Sequence, residues 1–189
     1  MKKILLISSL FAITASFAAH AEGTYLGANI GSAKQKVTIN GQSSSDSKTG
    51  EKIYGGVNIT NNFGAEAGYV NFGNTDKSFS DGVNTSSYDV KSSAVYAAGT
   101  ATAPINERFS VFGKLGVTAN RAKVNTTVNG VSSSNTKTHT DALIGVGASY
   151  AITKELTAVA EYENFGKIAR GNGTDIKADL VSVGLRYNF

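Results

Sequence analysis

The sequence of 189 residues contains no cysteine, no tryptophan and a single proline. Without cysteine the chain can form neither a disulfide framework nor a thiolate metal site. Charge is also scarce: 18 basic and 14 acidic residues give a formal net charge of +4, and without Lys2 and Lys3, which lie in the signal peptide predicted below, the net charge is only +2. No basic patch is interleaved with aromatic residues, so we do not expect nucleic acid as a partner.

The N-terminus predicts a cleavable secretory signal peptide over residues 1–21. Lys2 and Lys3 precede an apolar stretch at 4–17, and Ala19-His20-Ala21 supplies the small residues that a signal peptidase reads. That stretch is shorter than the roughly 20 residues that a spanning helix needs. We therefore expect one exported domain, residues 22–189.

A long hydrophobic run is also missing from the rest of the chain. Beyond residue 21 no apolar run reaches 18 residues, whereas Gly, Ser, Thr, Asn and Val are abundant and favour strands and turns. Only helices and closed barrels satisfy backbone polar groups in lipid, so a membrane-spanning form of this chain must be a barrel of strands.

Apolar and polar residues alternate with a period of two, as they do on the two faces of a strand. The clearest stretch runs from Phe109 to Asn120, with apolar residues and glycine at the odd positions. We count eight such segments, at 24–34, 51–60, 63–73, 88–103, 108–122, 140–151, 156–167 and 177–189. The fourth allows two outer rows; we favour the row containing Val95, Ala97, Gly99 and Ala101 over the row containing Val90, Ser92, Ala94, Tyr96 and Ala98.

The joints between these segments alternate in length. Short joints lie at 60–62, 104–107 and 152–155, and long polar ones at 35–50, 74–87, 123–139 and 168–176. A soluble half-buried sheet would also alternate in sequence, but it does not account for this order of joints. We therefore predict an all-β fold, an eight-stranded antiparallel up-and-down transmembrane β-barrel with short periplasmic turns and long extracellular loops.

Two further patterns fit this fold. Asn40-Gly41 and Asn129-Gly130 lie in β-prone sequence, which suggests hairpins that continue above the membrane. Aromatic residues near strand ends are expected to form interfacial girdles. These residues are Tyr25, Phe63, Tyr69, Phe109, Tyr150, Phe165, Tyr187 and Phe189.

Few residues could carry chemistry. If the apolar rows face lipid, five ionisable residues point into a narrow lumen, where they must pair or be hydrated. They are Glu66, Lys114, Glu161, Glu163 and Arg186, and we expect Arg186 beside Glu161 and Glu163. This charged network either gates ion leakage or simply fills the lumen and sets strand register.

His139 is the only histidine after the signal peptide, so a transition-metal site is not expected. Together with Asp141 and one of Ser132, Ser133 or Ser134 it could form a hydrolytic triad, although serine-rich loops also occur by composition alone. No cofactor is expected.

The chain resembles the small outer-membrane barrels typified by the OmpA transmembrane domain. The resemblance rests on Phe63 to Tyr69, Phe112 to Gly116, Gly145 to Thr153, Ala160 to Tyr162 and the ending from Gly184 to Phe189. It implies an integral outer-membrane protein, with Glu66 and Glu161 on lumenal acidic positions and Lys114 on a basic one. The family's strand-four lysine falls near Thr100 here, so the resemblance does not carry over a gate built on that lysine.

The resemblance also implies partners and a role. Outer-membrane lipids and lipopolysaccharide would surround the barrel, and the barrel-assembly machinery would read a C-terminal signal containing Gly184, Tyr187 and Phe189. The loops could reach ligands on a host surface. We expect a non-enzymatic structural or adhesin-like barrel with a closed polar lumen; the alternatives are a lipid A-modifying hydrolase and a weak porin-like diffusion channel.

Overall fold

Eight antiparallel strands follow one another along the chain, and β8 pairs with β1 to close a barrel. The computed structural model describes residues 23–39, 42–80, 85–128, 131–171 and 174–189, so the predicted signal peptide lies outside the described residues. No helix in these ranges is long and apolar enough to cross a bilayer. The strands are β1 (Thr24–Ile39), β2 (Gln42–Asn58), β3 (Phe63–Ser80), β4 (Thr85–Pro104), β5 (Phe109–Val128), β6 (Val131–Ala151), β7 (Leu156–Gly171) and β8 (Thr174–Asn188). The predicted fold class is confirmed.

Alternating burial along each strand separates an outer row from an inner row. In β5, Leu115 and Val117 are exposed on the outer face, whereas Lys114 and Thr118 are buried. In β4, the predicted outer row is confirmed, because Val95 is exposed and Tyr96 is buried. Antiparallel pairing fixes this parity on neighbouring strands, since directly opposite residues point to the same face.

The outer rows form an aliphatic belt for contact with lipid. Its exposed members include Ile30, Ile53, Val95, Leu115, Val117, Ile144, Val146, Val181, Val183 and Leu185. Six of the predicted girdle aromatics are exposed beside it, but Tyr25 and Phe165 are only 4% and 0% exposed and point into the lumen. The girdle prediction is wrong for these two residues. Successive side chains of a strand point to opposite faces, so the position of a residue in this alternation decides whether it faces lipid or the lumen, and its nearness to a strand end does not.

The strands are longer than predicted at the end opposite the short turns. β5 and β6 contain 20 and 21 residues, and Val128 pairs with Val131, so most of the predicted loop 123–139 is strand. The first hairpin likewise pairs up to Ile39 and Gln42. The predicted continuation of both hairpins is supported by this pairing, although Asn40-Gly41 and Asn129-Gly130 themselves lie outside the described residues.

Pairing between neighbouring strands stops early at two seams. Among the described residues, β2 and β3 pair only up to Glu51 and Asn71, and β6 and β7 only up to Ile144 and Asn164. The other neighbours remain paired to their tips. Above the seams the barrel therefore divides into two four-stranded leaves, one of β3 to β6 and the other of β7, β8, β1 and β2.

The three short turns share one pattern of side-chain to backbone hydrogen bonds. Each begins with isoleucine and continues with Thr60, Asn106 or Thr153, whose side-chain oxygen accepts hydrogen bonds from two backbone N–H groups of the same turn. Such bonds satisfy donors that the sheet cannot pair. The Thr153 hydroxyl also donates to the Glu155 carboxylate at 2.9 Å, and this bond lowers the pKa of Glu155.

Candidate functional site in the barrel lumen

The inner rows bring a cluster of acidic and basic side chains together at mid-barrel. Glu66, Lys114, Glu161 and Glu163 are all at most 4% exposed as residues, and Lys52 from β2 joins them. These residues come from β2, β3, β5 and β7, so the cluster connects strands across the lumen and not merely along the wall.

Lys114 lies at the centre of this cluster. Its ammonium contacts Glu66 Oε1 at 2.6 Å and Glu163 Oε1 at 3.4 Å, and it also donates to Glu161. All four side chains are inaccessible to solvent. One cation on β5 therefore contacts three carboxylates on strands that are not its neighbours, one on β3 and two on β7.

A second ammonium binds the same β7 carboxylates. Lys52 Nζ lies 2.6 Å from Glu161 Oε1 and 2.9 Å from Glu163 Oε2. Asn29 Nδ2 donates to the same Glu161 oxygen at 2.6 Å. Lys52 also lies 4.5 Å from the centroid of the Tyr54 ring, a cation–π contact.

Glu66 is held by tyrosines at its end of the cluster. Tyr25 and Tyr96 donate hydroxyl hydrogen bonds to its two oxygens at 3.0 and 2.7 Å. Arg186 Nη2 lies 3.8 Å from Glu66 Oε2, and its guanidinium carbon lies 4.3 Å from the Tyr25 ring centroid. The expected position of Arg186 beside Glu161 and Glu163 is therefore wrong.

Strand register explains where Arg186 lies. Its partner on β7 is Thr157, while Glu161 pairs with Ser182. Arg186 thus lies four residues along β8 from the partner of Glu161 and six from the partner of Glu163, close to the short-turn end, and meets the acid of β3 instead.

Glycines on the inner rows make room for the lumenal rings. Each of four buried or half-buried glycines lies directly opposite an aromatic residue whose ring covers it. The pairs are Gly27 with Tyr54, Gly56 with Tyr25, Gly68 with Tyr96 and Gly147 with Phe112. A Cβ at Gly147 would come within 2.4 Å of Phe112 Cζ, so a side chain there would displace the ring.

Formal charge in the cluster is balanced. Three carboxylates, Glu66, Glu161 and Glu163, face three cations, Lys52, Lys114 and Arg186. Oxygens of the three acids lie within 4.8 Å of one another, a spacing that could hold a metal ion. The Lys114 ammonium contacts all three acids and supplies the positive charge there. Buried charges of this kind are tolerated only when paired and hydrogen-bonded.

An apolar layer covers the cluster on the long-hairpin side. Phe72 and Phe165 meet edge to face across the lumen, with ring centroids 5.1 Å apart. Around them are fully buried aliphatic side chains: Ala33, Val70, Leu143, Ala178 and Leu180. The charged layer is therefore separated from the outer mouth by packed hydrocarbon.

Two matching β-bulges deliver these phenyl rings. Asn71-Phe72-Gly73 and Asn164-Phe165-Gly166 each interrupt the register, and each glycine is left-handed, with φ of 83° and 64°. In both, the asparagine Oδ1 accepts a hydrogen bond from the glycine N–H, at 3.1 and 3.0 Å. A left-handed residue in a bulge favours glycine.

The β7 bulge is also tied to β5 and β6 by polar side chains. Asn120 Nδ2 donates to the carbonyls of Phe165 and Lys167 at 2.9 and 3.2 Å. Asp141 Oδ2 accepts from the Lys167 N–H at 2.8 Å. These bonds satisfy backbone groups that the ladder leaves unpaired at the seam.

Lys52, Tyr54 and Phe72 belong to the site but were missing from the predicted network. The signal for Lys52 was present in the sequence, because Lys52 lies on the polar row of β2 and the next residue, Ile53, lies on the apolar row. The signal for Phe72 and Phe165 was the repeated Asn-Phe-Gly tripeptide.

His139 lies on the inner row of β6 and is only half buried. Ser134 is exposed on the opposite row, and Asp141 is bonded to the β7 backbone. The side chains of Ser132 and Ser133 lie outside those described. The described residues thus bring no serine to His139.

The C-terminal residues close the barrel. Tyr187 and Phe189 are half exposed on the lipid side, with ring centroids 5.1 Å apart in an edge contact. The Phe189 N–H donates to the Thr24 carbonyl at 3.0 Å. Gly184 pairs with Asn29, and a Cβ there would come within 2.1 Å of the Ala28 carbonyl oxygen.

Comparison with models of known protein families shows to which family this barrel belongs. The model of the OmpA-like transmembrane domain matches residues 19–189. The chain belongs to this family. Together with the closed barrel and its lipid-facing belt, membership makes the OmpA-like chain an integral protein of the outer membrane. None of the curated proteins matches the chain significantly.

Solved structures of small outer-membrane barrels share the fold of this OmpA-like chain. Neisserial surface protein A superposes with a TM-score of 0.67 at 21% identity, over 89% of this chain and 98% of its own. The attachment invasion locus protein Ail of Yersinia pestis, in complex with the heparin analogue sucrose octasulfate, gives 0.56 at 21% identity, over 88% and 100%. OprG of Pseudomonas aeruginosa gives 0.55 at 14% identity, over 90% and 97%.

Thr100 departs from the pattern that the family resemblance implies for the lumen of this OmpA-like chain. Thr100 occupies the inner row of β4 opposite Gly64 and is 9% exposed, where the family resemblance led us to look for a lysine. Positive charge beside Glu66 comes here from Lys114 and Arg186.

Proposed function

We propose that this protein is a closed outer-membrane barrel whose role is to present its long β-hairpins, which are grouped in two leaves, to partners outside the cell. The single observation that carries the proposal is the contrast between a lumen filled with side chains and strands that run far beyond the membrane. Neither catalysis nor transport is part of it.

The lumen supports the closed half of the proposal. The charged layer is inaccessible to solvent, and the Phe72–Phe165 contact lies over it. An eight-stranded barrel has an interior only wide enough for side chains to fill. The structure therefore favours a plug over a diffusion channel.

The length of the strands supports the second part of the proposal, that the hairpins are presented outside the cell. A membrane strand needs about 9–11 residues, whereas β5 and β6 have 20 and 21. The excess of about ten residues corresponds to roughly 33 Å of strand beyond the belt. In proteins of this type the longer connections face outward.

Conductance provides the first test. Purified protein refolded into planar bilayers is expected to show no discrete conductance steps, because the buried charged side chains and the Phe72–Phe165 contact fill the lumen. Incorporation is verified on unboiled gels by the faster-migrating folded band. Reproducible single-channel steps from preparations containing only this protein would contradict the closed lumen.

Adhesion provides the second test, using hairpins shortened in register. Deleting 37–39 with 42–44 joins Lys36 to Asn40-Gly41-Ser45, and Lys36 already pairs with Ser45. Deleting 125–128 with 131–134 likewise joins Val124 to Asn129-Gly130-Asn135, a pair already in register. The removed residues include no charged side chain, so net charge is unchanged.

Cells displaying the shortened protein are expected to adhere several-fold less than wild type to a monolayer of cultured epithelial cells. A heparin-coated surface serves as a second probe, because the Ail structure contains a heparin analogue. Surface amounts are equalised by the folded band on unboiled gels. If cells displaying equal amounts of shortened and wild-type protein adhered equally well to each surface, the proposed presentation of the hairpins would be overturned.

A further inference from the structure

We infer that the free edge of β6, above its seam with β7, binds an extended acidic segment of a partner protein by β-strand addition. The edge begins near Thr140 and runs to Val131, and an added segment would pair with it through backbone hydrogen bonds. The inference rests on the proposed presentation of the hairpins, because it names the part of a hairpin that a partner contacts.

Backbone groups of successive residues in β6 point in turn toward β5 and toward β7. The Ala151 N–H donates to the Arg108 carbonyl beside β5 at 2.8 Å, whereas the Ile152 N–H donates to the Leu156 carbonyl of β7 at 2.9 Å. The N–H and C=O groups of one residue point to the same side of a strand. Because β5 and β6 pair without a register shift, odd-numbered residues of β6 face β5 along the whole strand and even-numbered ones face the β7 side.

The even-numbered residues lose their partner above the seam. The last pair is Ile144 with Asn164, and the next N–H on this side, that of Ala142, donates to Asp141 Oδ1 at 2.8 Å. Among the described residues, no backbone group pairs on this side with the even-numbered residues farther out. They are Ser132, Ser134, Thr136, Thr138 and Thr140. Their N–H and C=O groups form an open edge about 27 Å long, at about 3.4 Å per residue.

Two features that usually protect an exposed edge, a bulge and an outward row of charges, are missing from β6. The described side chains of its outward row above the seam are all exposed serine or threonine. β7 differs, because its register with β8 shifts between Asn164 and Lys167 and again before Ala169. Of the two strands at this seam, β6 is therefore the one with a regular edge.

The inner row of β6 selects the charge of the added segment. Lys137 is exposed and His139 is half buried on this row. Asp141, the acid on the same row, already accepts from the N–H groups of Ala142 and Lys167, both at 2.8 Å. A carboxylate directly opposite a basic residue stabilises an antiparallel pair, whereas a second cation destabilises it. The segment that fits carries carboxylates on its inward face and neutral residues on its outward face.

β2 has a similar edge at the other seam. By the same rule its odd-numbered residues face β3, because the Asn58 N–H donates to the Gly23 carbonyl beside β1. The unpaired odd-numbered row is again serine and threonine, and the bulge again lies on the opposite strand, β3. On the inner row, however, Lys48 already pairs with Asp46 at 3.4 Å. The acidic segment is therefore placed on β6.

Amide hydrogen exchange, followed by NMR on the folded protein in micelles, tests the edge before any ligand is added. The N–H groups of Thr136, Thr138 and Thr140 should exchange about tenfold faster than those of Lys137 and His139, which face β5. Equal exchange of the two sets would show that the edge is not free and would overturn the inference.

The probe is a nine-residue peptide of alternating threonine and glutamate, compared with one of alternating threonine and lysine. At about ten times its measured dissociation constant, the acidic peptide should slow exchange of the three threonine amides about tenfold. The basic peptide should bind more weakly. Thr138→Pro removes a donor at an edge position that tolerates proline, and it should weaken binding about fivefold. Thr138→Val keeps the N–H and is the matched control, which should bind like wild type.

Modified peptides test the same bonds with the protein unchanged. In antiparallel addition, the more stable pairing, threonines of the peptide lie opposite Thr136 and Thr138 and exchange hydrogen bonds with them, while its glutamates lie opposite Lys137 and His139. N-methylation of the peptide threonines should therefore abolish binding, and N-methylation of its glutamates should leave it within about twofold. Equal effects of the two modifications would contradict strand addition.

Two further results would overturn the inference. The first is equal binding of the acidic peptide to wild type and Thr138→Pro. The second is slower exchange of the threonine amides when protein concentration is raised without peptide, which would show that a second copy of this chain occupies the edge. If shortened hairpins lower adhesion but the peptide does not bind, presentation of the hairpins stands and strand addition at β6 fails.

Discussion

Replacing Lys114 by methionine is expected to destabilise the barrel by about 3–5 kcal/mol, the cost of removing one partner from a buried ion pair. The ammonium contacts Glu66, Glu161 and Glu163, and all four side chains are solvent-inaccessible. Without it three carboxylates face only Lys52 and Arg186. Methionine has a similar length, so the effect measures lost charge more than lost volume.

The measurement is the midpoint of urea unfolding in phospholipid vesicles, followed by the folded band. Lys154→Met, on an exposed turn, is the control and should leave the midpoint nearly unchanged. Adding Glu66→Gln to the Lys114 variant restores two cations against two acids and should recover part of the loss. Equal midpoints for the Lys114 and Lys154 variants would mean that the cluster does not hold the barrel together.

Deleting Phe189 is expected to lower the amount of assembled protein in the outer membrane several-fold, while leaving refolding of the purified chain close to normal. In the folded barrel the residue contributes one backbone hydrogen bond to Thr24 and one edge contact with Tyr187. Such an aromatic contact contributes only about 0.5–1.5 kcal/mol. A large loss in cells would therefore reflect recognition during assembly and not stability.

Phe63→Ala is the matched control for this deletion. Phe63 is also an exposed aromatic at the short-turn end, 62% exposed against 53% for Phe189, but it does not lie at the terminus. Outer-membrane amounts are compared by quantitative blotting of unboiled samples, beside refolding yields of the same chains in vesicles. The assembly role fails if both variants lose the same amount in cells.

The face to which each side chain points, its parity along the strand, was predictable wherever one face of the strand meets lipid. The outer row of β5 and the preferred row of β4 both follow from alternation, because a lipid-facing row must be apolar while the lumenal row carries Lys114 or Thr100. The same parity places Glu66, Glu161 and Glu163 inside. Their mutual distances were not predictable, since they depend on the stagger between strands that are not neighbours.

Strand ends were not predictable in the same way. Above the belt both faces of β6 meet water, so its outer row of Ser134, Thr136, Thr138 and Thr140 looks like a loop in sequence. Nor does the Asn-Phe-Gly tripeptide define a bulge by itself. Asn62-Phe63-Gly64 has the same residues, yet its phenylalanine is 62% exposed and its glycine is not left-handed.

The two seams have a consequence for how this protein can vary. The closed barrel, with its fixed stagger, ends where β2 leaves β3 and β6 leaves β7. Each leaf beyond that level is an open sheet of hairpins, which can gain or lose whole residue pairs without altering the stagger below. The tips are thus free to diverge, while the membrane wall keeps one geometry.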